Sequence, residues 1–154
     1  YSVVLRSSRG ERVVPLDGFF KGPFQTAMEP DELIVKLRRG PLPAGASGAY
    51  RKLGQKASGY SIVGVAAVVA MSGGSVGHVR VALTGVAEAP YRAKAVETAL
   101  AGSDGSSAAV AAAAVHATDG VHVNSDIHAD TEYRSQMAVV YTRRALEAAL
   151  GRSA

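Results

Sequence analysis

Residues 60–86 read YSIVGVAAVVAMSGGSVGHVRVALTGV, and they decide the fold. Tyr60 to Met71 is apolar at nearly every position, as a central strand covered on both sides would be. Ser72-Gly73-Gly74-Ser75-Val76-Gly77 is a hairpin turn. His78 to Val86 then alternates, with Val79, Val81 and Leu83 on one face of a returning strand. A connection this short allows only antiparallel pairing.

Before this hairpin, Ala49 to Ala57 is a third strand. Residues 40–48, GPLPAGASG, hold two prolines and three glycines in nine positions. That composition marks a linker and places a domain boundary near residue 45, with a first domain over 1–45 and a second over 46–154. In the first domain, Ser2–Arg6 and Arg12–Val14 are β-branched runs flanking Ser8-Arg9-Gly10-Glu11, a strand–turn–strand unit. Leu16–Phe20 reads as a helical turn tucked onto a sheet, broken by Lys21-Gly22-Pro23. The turn Glu29-Pro30-Asp31-Glu32 leads into a strand with Leu33, Val35 and Leu37 on one face and Ile34 on the other.

After the hairpin the periodicity changes. Ala93 to Ala101 is a helix stopped by Gly102, with Lys94 and Glu97 spaced for an exposed face. Ala108 to Ala117 is helical by alanine propensity. His116 to Asp130 is polar and turn-rich. A last helix runs from about Thr131 to Leu150, capped by Asp130 and ended by Gly151. Tyr133, Met137, Val140, Tyr141, Ala145 and Ala148 share one of its faces. Arg143, Arg144 and Arg152 sit where cations favour the helix dipole.

Composition bounds function. Of 154 residues, 47% are apolar and 19% charged, so the chain buries a core rather than staying disordered. With no cysteine, a disulfide, a thiolate zinc site, an iron–sulfur cluster held by this chain and a Cys nucleophile are excluded. Such a chain is compatible with a reducing cytoplasm. Seventeen basic and thirteen acidic residues leave a net charge of +4. The basic residues are scattered and lack interleaved aromatics, so no nucleic-acid surface is read. The longest apolar run, Ile62 to Met71, is about half the ~20 residues of a membrane span. The chain opens at Tyr1 without a Met or a signal-like segment, and is read as a fragment or a processed piece.

Candidate chemistry is sparse. Ser72–Gly77 has the glycines of a phosphate-cradling loop but leads into a strand, where no helix N-terminus awaits an anion. His116, His122, Asp126 and His128 match no metal-ligand spacing and read as a polar surface loop. No Gly-x-Ser-x-Gly elbow is present. Lys52 and Lys56, with Tyr50 before and Tyr60 after, read either as ordinary surface residues or as a site for an anion or a flat ring. Composition does not choose between these two.

The order of segments resembles a known family. Arg12-Val13-Val14-Pro15-Leu16-Asp17-Gly18-Phe19-Phe20-Lys21-Gly22, Asp31-Glu32-Leu33-Ile34 and Ala49-Tyr50-Arg51-Lys52 are similar to the FAD-binding medium subunit of molybdenum hydroxylases, the aerobic carbon monoxide dehydrogenase and xanthine dehydrogenase family. Arg80–Ala87, Pro90-Tyr91-Arg92-Ala93 with Glu97 and Leu100, and Tyr133-Arg134 followed by Arg143-Arg144-Ala145-Leu146 resemble the carbon monoxide dehydrogenase branch. The resemblance covers nearly the whole chain.

It implies an α+β architecture: the end of an FAD-binding domain, then a C-terminal domain with a three-stranded antiparallel sheet packed on a helical bundle. It implies FAD, receiving electrons from a molybdopterin cofactor in a large subunit through 2Fe-2S clusters in a small one, in a cytoplasmic complex. Position by position, Lys52 matches a flavin-contacting lysine, Ile34 an apolar residue against the FAD, and Tyr60 an aromatic near the isoalloxazine ring. Lys56 stands where relatives often carry Arg. The family's two glycine-rich pyrophosphate loops belong to an N-terminal part that this chain does not contain. The resemblance thus implies a flavin half-site without bond chemistry of its own. The alternative is an assembly or binding module that keeps the fold without flavin.

Overall fold

The computed structural model describes residues 1–151; Arg152, assigned above to the end of the last helix, lies outside them. The chain forms two compact units, Tyr1–Leu42 and a larger one that begins at Pro43.

In the smaller unit, β1 (Ser2–Ser7) pairs antiparallel with β2 (Gly10–Pro15) and β5 (Leu33–Arg38), giving the order β2-β1-β5. A short hairpin joins β3 (Phe20–Gly22) to β4 (Gln25–Thr26). Val3 and Leu5 alternate onto one face of β1 and pack with Phe19. The segment Leu16–Phe20 is not helical: a single turn closes through Phe19 N donating to Leu16 O, and Phe20 already starts β3. Gly18 at φ +78° makes that turn tight and drops Phe19 into the core. Strand β5 forms as read, but all six of its residues are exposed within this unit.

An ion pair between the exposed Arg12 and the buried carboxylate of Glu32 organises the Glu29–Glu32 turn. Arg12 donates to Glu32 from Nε at 2.5 Å and from Nη2 at 2.7 Å, and Glu32 also accepts from Glu29 N at 2.7 Å. Chiefly because of the Arg12 hydrogen bonds, the Glu32 carboxyl is held down at about 2.

The larger unit contains a four-stranded antiparallel sheet in the order β6-β7-β8-β9. Its three long strands are β6 (Ser47–Gly54), β7 (Ser61–Ser72) and β8 (Ser75–Thr84); β9 (Tyr91–Arg92) adds two residues at the edge. Gly73 and Gly74, both at positive φ, make the two-residue turn between β7 and β8. Val63, Val65, Ala67 and Val69 of β7 and Val79, Val81 and Leu83 of β8 face the helices. Burying each such Val or Leu contributes about 1.5–3 kcal/mol.

Three helices cover that face: α1 (Lys94–Leu100), α2 (Ser107–Ala114) and α3 (Thr131–Ala149). Helix α3 crosses β6 and β7, α1 lies on β8, and α2 contacts both other helices. Asp130 caps α3 by accepting from Tyr133 N at 2.8 Å, and Ser106 caps α2 in the same way through Ala109 N.

Two helix faces differ from the sequence reading. Glu97 does not point outward. It is buried and accepts from Val81 N at 2.9 Å and from Arg92, so a carboxylate anchors α1 to the sheet edge. On α3 the buried face is Arg134, Ala138, Thr142, Ala145, Leu146 and Ala149, while Tyr133 is exposed. The stripe turned toward the sheet is the one of small residues, because small side chains let a helix approach a valine-lined sheet closely. The larger apolar residues Met137 and Tyr141 pack at its margins.

Candidate functional site

Three of the four residues singled out from sequence, Lys52, Lys56 and Tyr60, gather at one end of the β6–β7 hairpin. Lys52 lies on β6 opposite Gly64 of β7, on the sheet face turned away from the helices. Its ammonium Nζ donates to Gly59 O at 3.0 Å, tying the strand to the turn beyond it. That turn, residues 55–60, is closely bonded. Gln55 N donates to Tyr60 O and Gly59 N to Gln55 O, both at 2.8 Å, while the Gln55 side-chain oxygen accepts from Ser58 N and Ser58 Oγ. Lys56 is exposed within the turn, and Tyr60 presents its ring to solvent at 81% exposure. Lys52, Lys56 and Tyr60 therefore share one short segment. Ile34 belongs to the smaller unit, where it sits half exposed on β5.

Beside this turn lies a cavity of about 270 Å³, lined among others by Tyr60, Ile62, Gly85, Asn124, Asp126 and Arg134. Sequence reading did not give Arg134 a role in it. The side chain is 4% exposed, and each of its three nitrogens donates a hydrogen bond. Nη1 donates to Ile62 O at 2.9 Å and to Gly85 O at 2.8 Å; Nε donates to Ala129 O at 3.3 Å and Nη2 to Asp126 Oδ2 at 2.6 Å. Asp126 in turn accepts from the backbone N–H groups of His128 and Ala129, and these bonds, with Arg134, hold its carboxyl below the usual range. One signal in the sequence pointed here. An arginine in the first turn of a helix opposes the macrodipole, and Arg134 heads the small-residue row through Ala138, Thr142, Ala145 and Ala149.

The histidines do not converge. His116 Nδ1 pairs with Asp119 at 2.7 Å, while Asp126 is committed to Arg134. Among the described residues no group of three His, Cys, Asp or Glu side chains is placed to hold a metal ion. No helix among them is long and apolar enough to cross a membrane.

A three-helix layer on one side of an antiparallel sheet, with a lysine-bearing hairpin at its open end, defines a class that comparison identifies. Residues 48–149 match the CO dehydrogenase flavoprotein C-terminal domain, and the chain belongs to that family. It is 37% identical to the carbon monoxide dehydrogenase medium chain of Hydrogenophaga pseudoflava over 98% of this chain and 53% of that protein. It is 34% identical to the corresponding chain of Afipia carboxidovorans, over 97% of this chain and 52% of that one. Among solved structures, carbon monoxide dehydrogenase from Hydrogenophaga pseudoflava superposes with a TM-score of 0.91 at 40% identity, covering 99% of this chain and 53% of the other. Quinoline 2-oxidoreductase from Pseudomonas putida 86 superposes at 0.82 with 30% identity, over 97% and 52%. The chain spans about half the length of the curated relatives it matches.

Proposed function

We propose that this chain is the C-terminal part of the flavin-carrying subunit of a molybdenum hydroxylase, most like carbon monoxide dehydrogenase. The observation that carries the reading is the 37% identity to a carbon monoxide dehydrogenase medium chain over 98% of the chain. In this reading the subunit passes electrons from the iron–sulfur clusters of a small subunit through FAD to an external acceptor. A large subunit holds the molybdopterin cofactor and chooses the substrate. The N-terminal part of the FAD-binding domain, outside this chain, supplies the pyrophosphate contacts.

The residues present fit one part of a flavin. Lys52 gives one of its three N–H donors to Gly59 O, which fixes the ammonium at the sheet surface. A cation so fixed suits the electron-rich edge of a reduced ring, and the exposed Tyr60 ring suits its flat face. Lys56 adds positive charge to the same turn, and Ile34, half exposed on β5, is the apolar residue that the resemblance sets against the FAD. A bound flavin supplies the redox chemistry; the protein orients and electrostatically tunes it. No group of this chain is assigned bond chemistry.

Replacing Lys52 with Met in the assembled complex tests the site. Flavin content per chain should fall several-fold, or the flavin potential should shift to more negative values as the cation is lost. Unchanged content and unchanged potential would remove Lys52 from the site. A colourless wild-type complex would favour the assembly module over the flavin subunit.

A further inference from the structure

We infer that Arg134 is a positioning residue for the turn that carries Lys56 and Tyr60 and accepts the Lys52 hydrogen bond. The inference rests on the flavin reading above only for what the turn is positioned to meet. Three observations carry it.

The first is where the β-ladder stops. Pairing of β7 with β8 ends at Gly64 and Thr84, so Ser61, Ile62 and Val63 have no partner on that side. Pairing of β6 with β7 is irregular at the same end, with a register shift between Leu53 and Gly54. The strand leading out of the turn is thus held by sheet bonds on one edge only. Arg134 Nη1 takes the place of the missing strand, donating at once to Ile62 O and Gly85 O where the two strands diverge.

The second is Gly85. It stands at φ +81°, and a Cβ there would come within 2.8 Å of Ile62 O and closer still to Ser61 O. Backbone approach this close lets two carbonyls converge on one guanidinium nitrogen. The third is the cost of the arrangement. A buried cation in the first turn of a helix meets both desolvation and the dipole. An apolar side chain would avoid both, yet it would leave the carbonyls of Ile62, Gly85 and Ala129 without the donors they now have. A planar fork pointing three ways serves these acceptors, and a lysine ammonium does not.

Hydrogen exchange tests this on the complex assembled with Arg134→Lys and, as a milder perturbation, with Asp126→Asn. Flavin content and the visible absorption spectrum are recorded on the same samples. In Arg134→Lys the amides of residues 55–63 should exchange roughly tenfold faster, the scale of losing a charge-assisted bond. Those of β8 and α2 should keep wild-type rates. Asp126→Asn should give a smaller change in the same segment. Unchanged exchange at 55–63 in both variants, or acceleration spread evenly over the larger unit, overturns the positioning role. Local acceleration with a shifted flavin spectrum supports both the role and the flavin site. Local acceleration with unaltered flavin content and spectrum supports the positioning role and instead removes the turn from the flavin site.

Discussion

Gly85→Ala should be among the most damaging single-methyl changes in the larger unit. Two terms add. The backbone stands at φ +81°, a region that costs an L-residue about 1–2 kcal/mol. The new Cβ would also meet Ile62 O at 2.8 Å and Ser61 O closer still. Both are backbone atoms of β7, so no side chain can swing aside, and relieving the overlap moves the strand. Overpacking of this kind costs about 1–3 kcal/mol. The expected loss is therefore roughly 2–5 kcal/mol, a large part of the ~5–15 kcal/mol available to an ordinary domain.

Gly102→Ala separates the two terms. Gly102 stands at φ +77° with nothing within 4 Å of its would-be Cβ. It should lose only the conformational part, about 1–2 kcal/mol. The assay is urea unfolding followed by far-ultraviolet circular dichroism, since the chain has no tryptophan. Equal losses for the two variants would refute the argument that β7 and Gly85 are in obligatory backbone contact.

Two further outcomes are expected. Thr142 is fully buried and its Oγ1 has no hydrogen-bond partner; Thr142→Val keeps the shape and removes the unpaired hydroxyl, so it should stabilise by about 1 kcal/mol. A lower unfolding midpoint in urea would show that the hydroxyl is paired in solution. Glu32 sits at about 2 rather than 4.5, so its stabilising effect is complete above pH 4.5 and is lost as pH falls toward 2. The stability gap between wild type and Glu32→Gln should therefore be constant at neutral pH and narrow across that window, and a gap independent of pH would rule out the Arg12–Glu32 pair as its source.

The β6–β7–β8 meander was legible because its signals are local. Valines alternate along β8, and two glycines occupy the turn after Ser72. The caps at Asp130 and Gly151 were legible for the same reason, since a cap needs only a side chain or a glycine at one chain position. The resemblance drawn from Ala49–Lys52, Arg80–Ala87 and Tyr133-Arg134 named the family that the comparison confirms.

What was misread depends on contacts distant along the chain. Leu16–Phe20 became a turn because Gly18, a poor helix former at positive φ, lets Phe19 pack against Val3 and Leu5 of β1. Glu97 looked exposed by its spacing from Lys94, yet Val81 N, sixteen residues earlier, makes it a buried anchor.

By itself the sequence determined that this is an α+β chain, with strands first, helices after, a proline- and glycine-rich joint between units, and no thiol chemistry. Those conclusions rest on periodicity and on residue types absent from the chain, both local properties. Only the tertiary structure decided which stripe of α3 meets the sheet, that Lys52 is tied to Gly59, and that Arg134 joins carbonyls 72 and 49 residues away. Close approach selected the stripe of small residues, and one buried guanidinium could satisfy the carbonyls of Ile62 on β7 and of Gly85 just past β8 only where the two strands have parted.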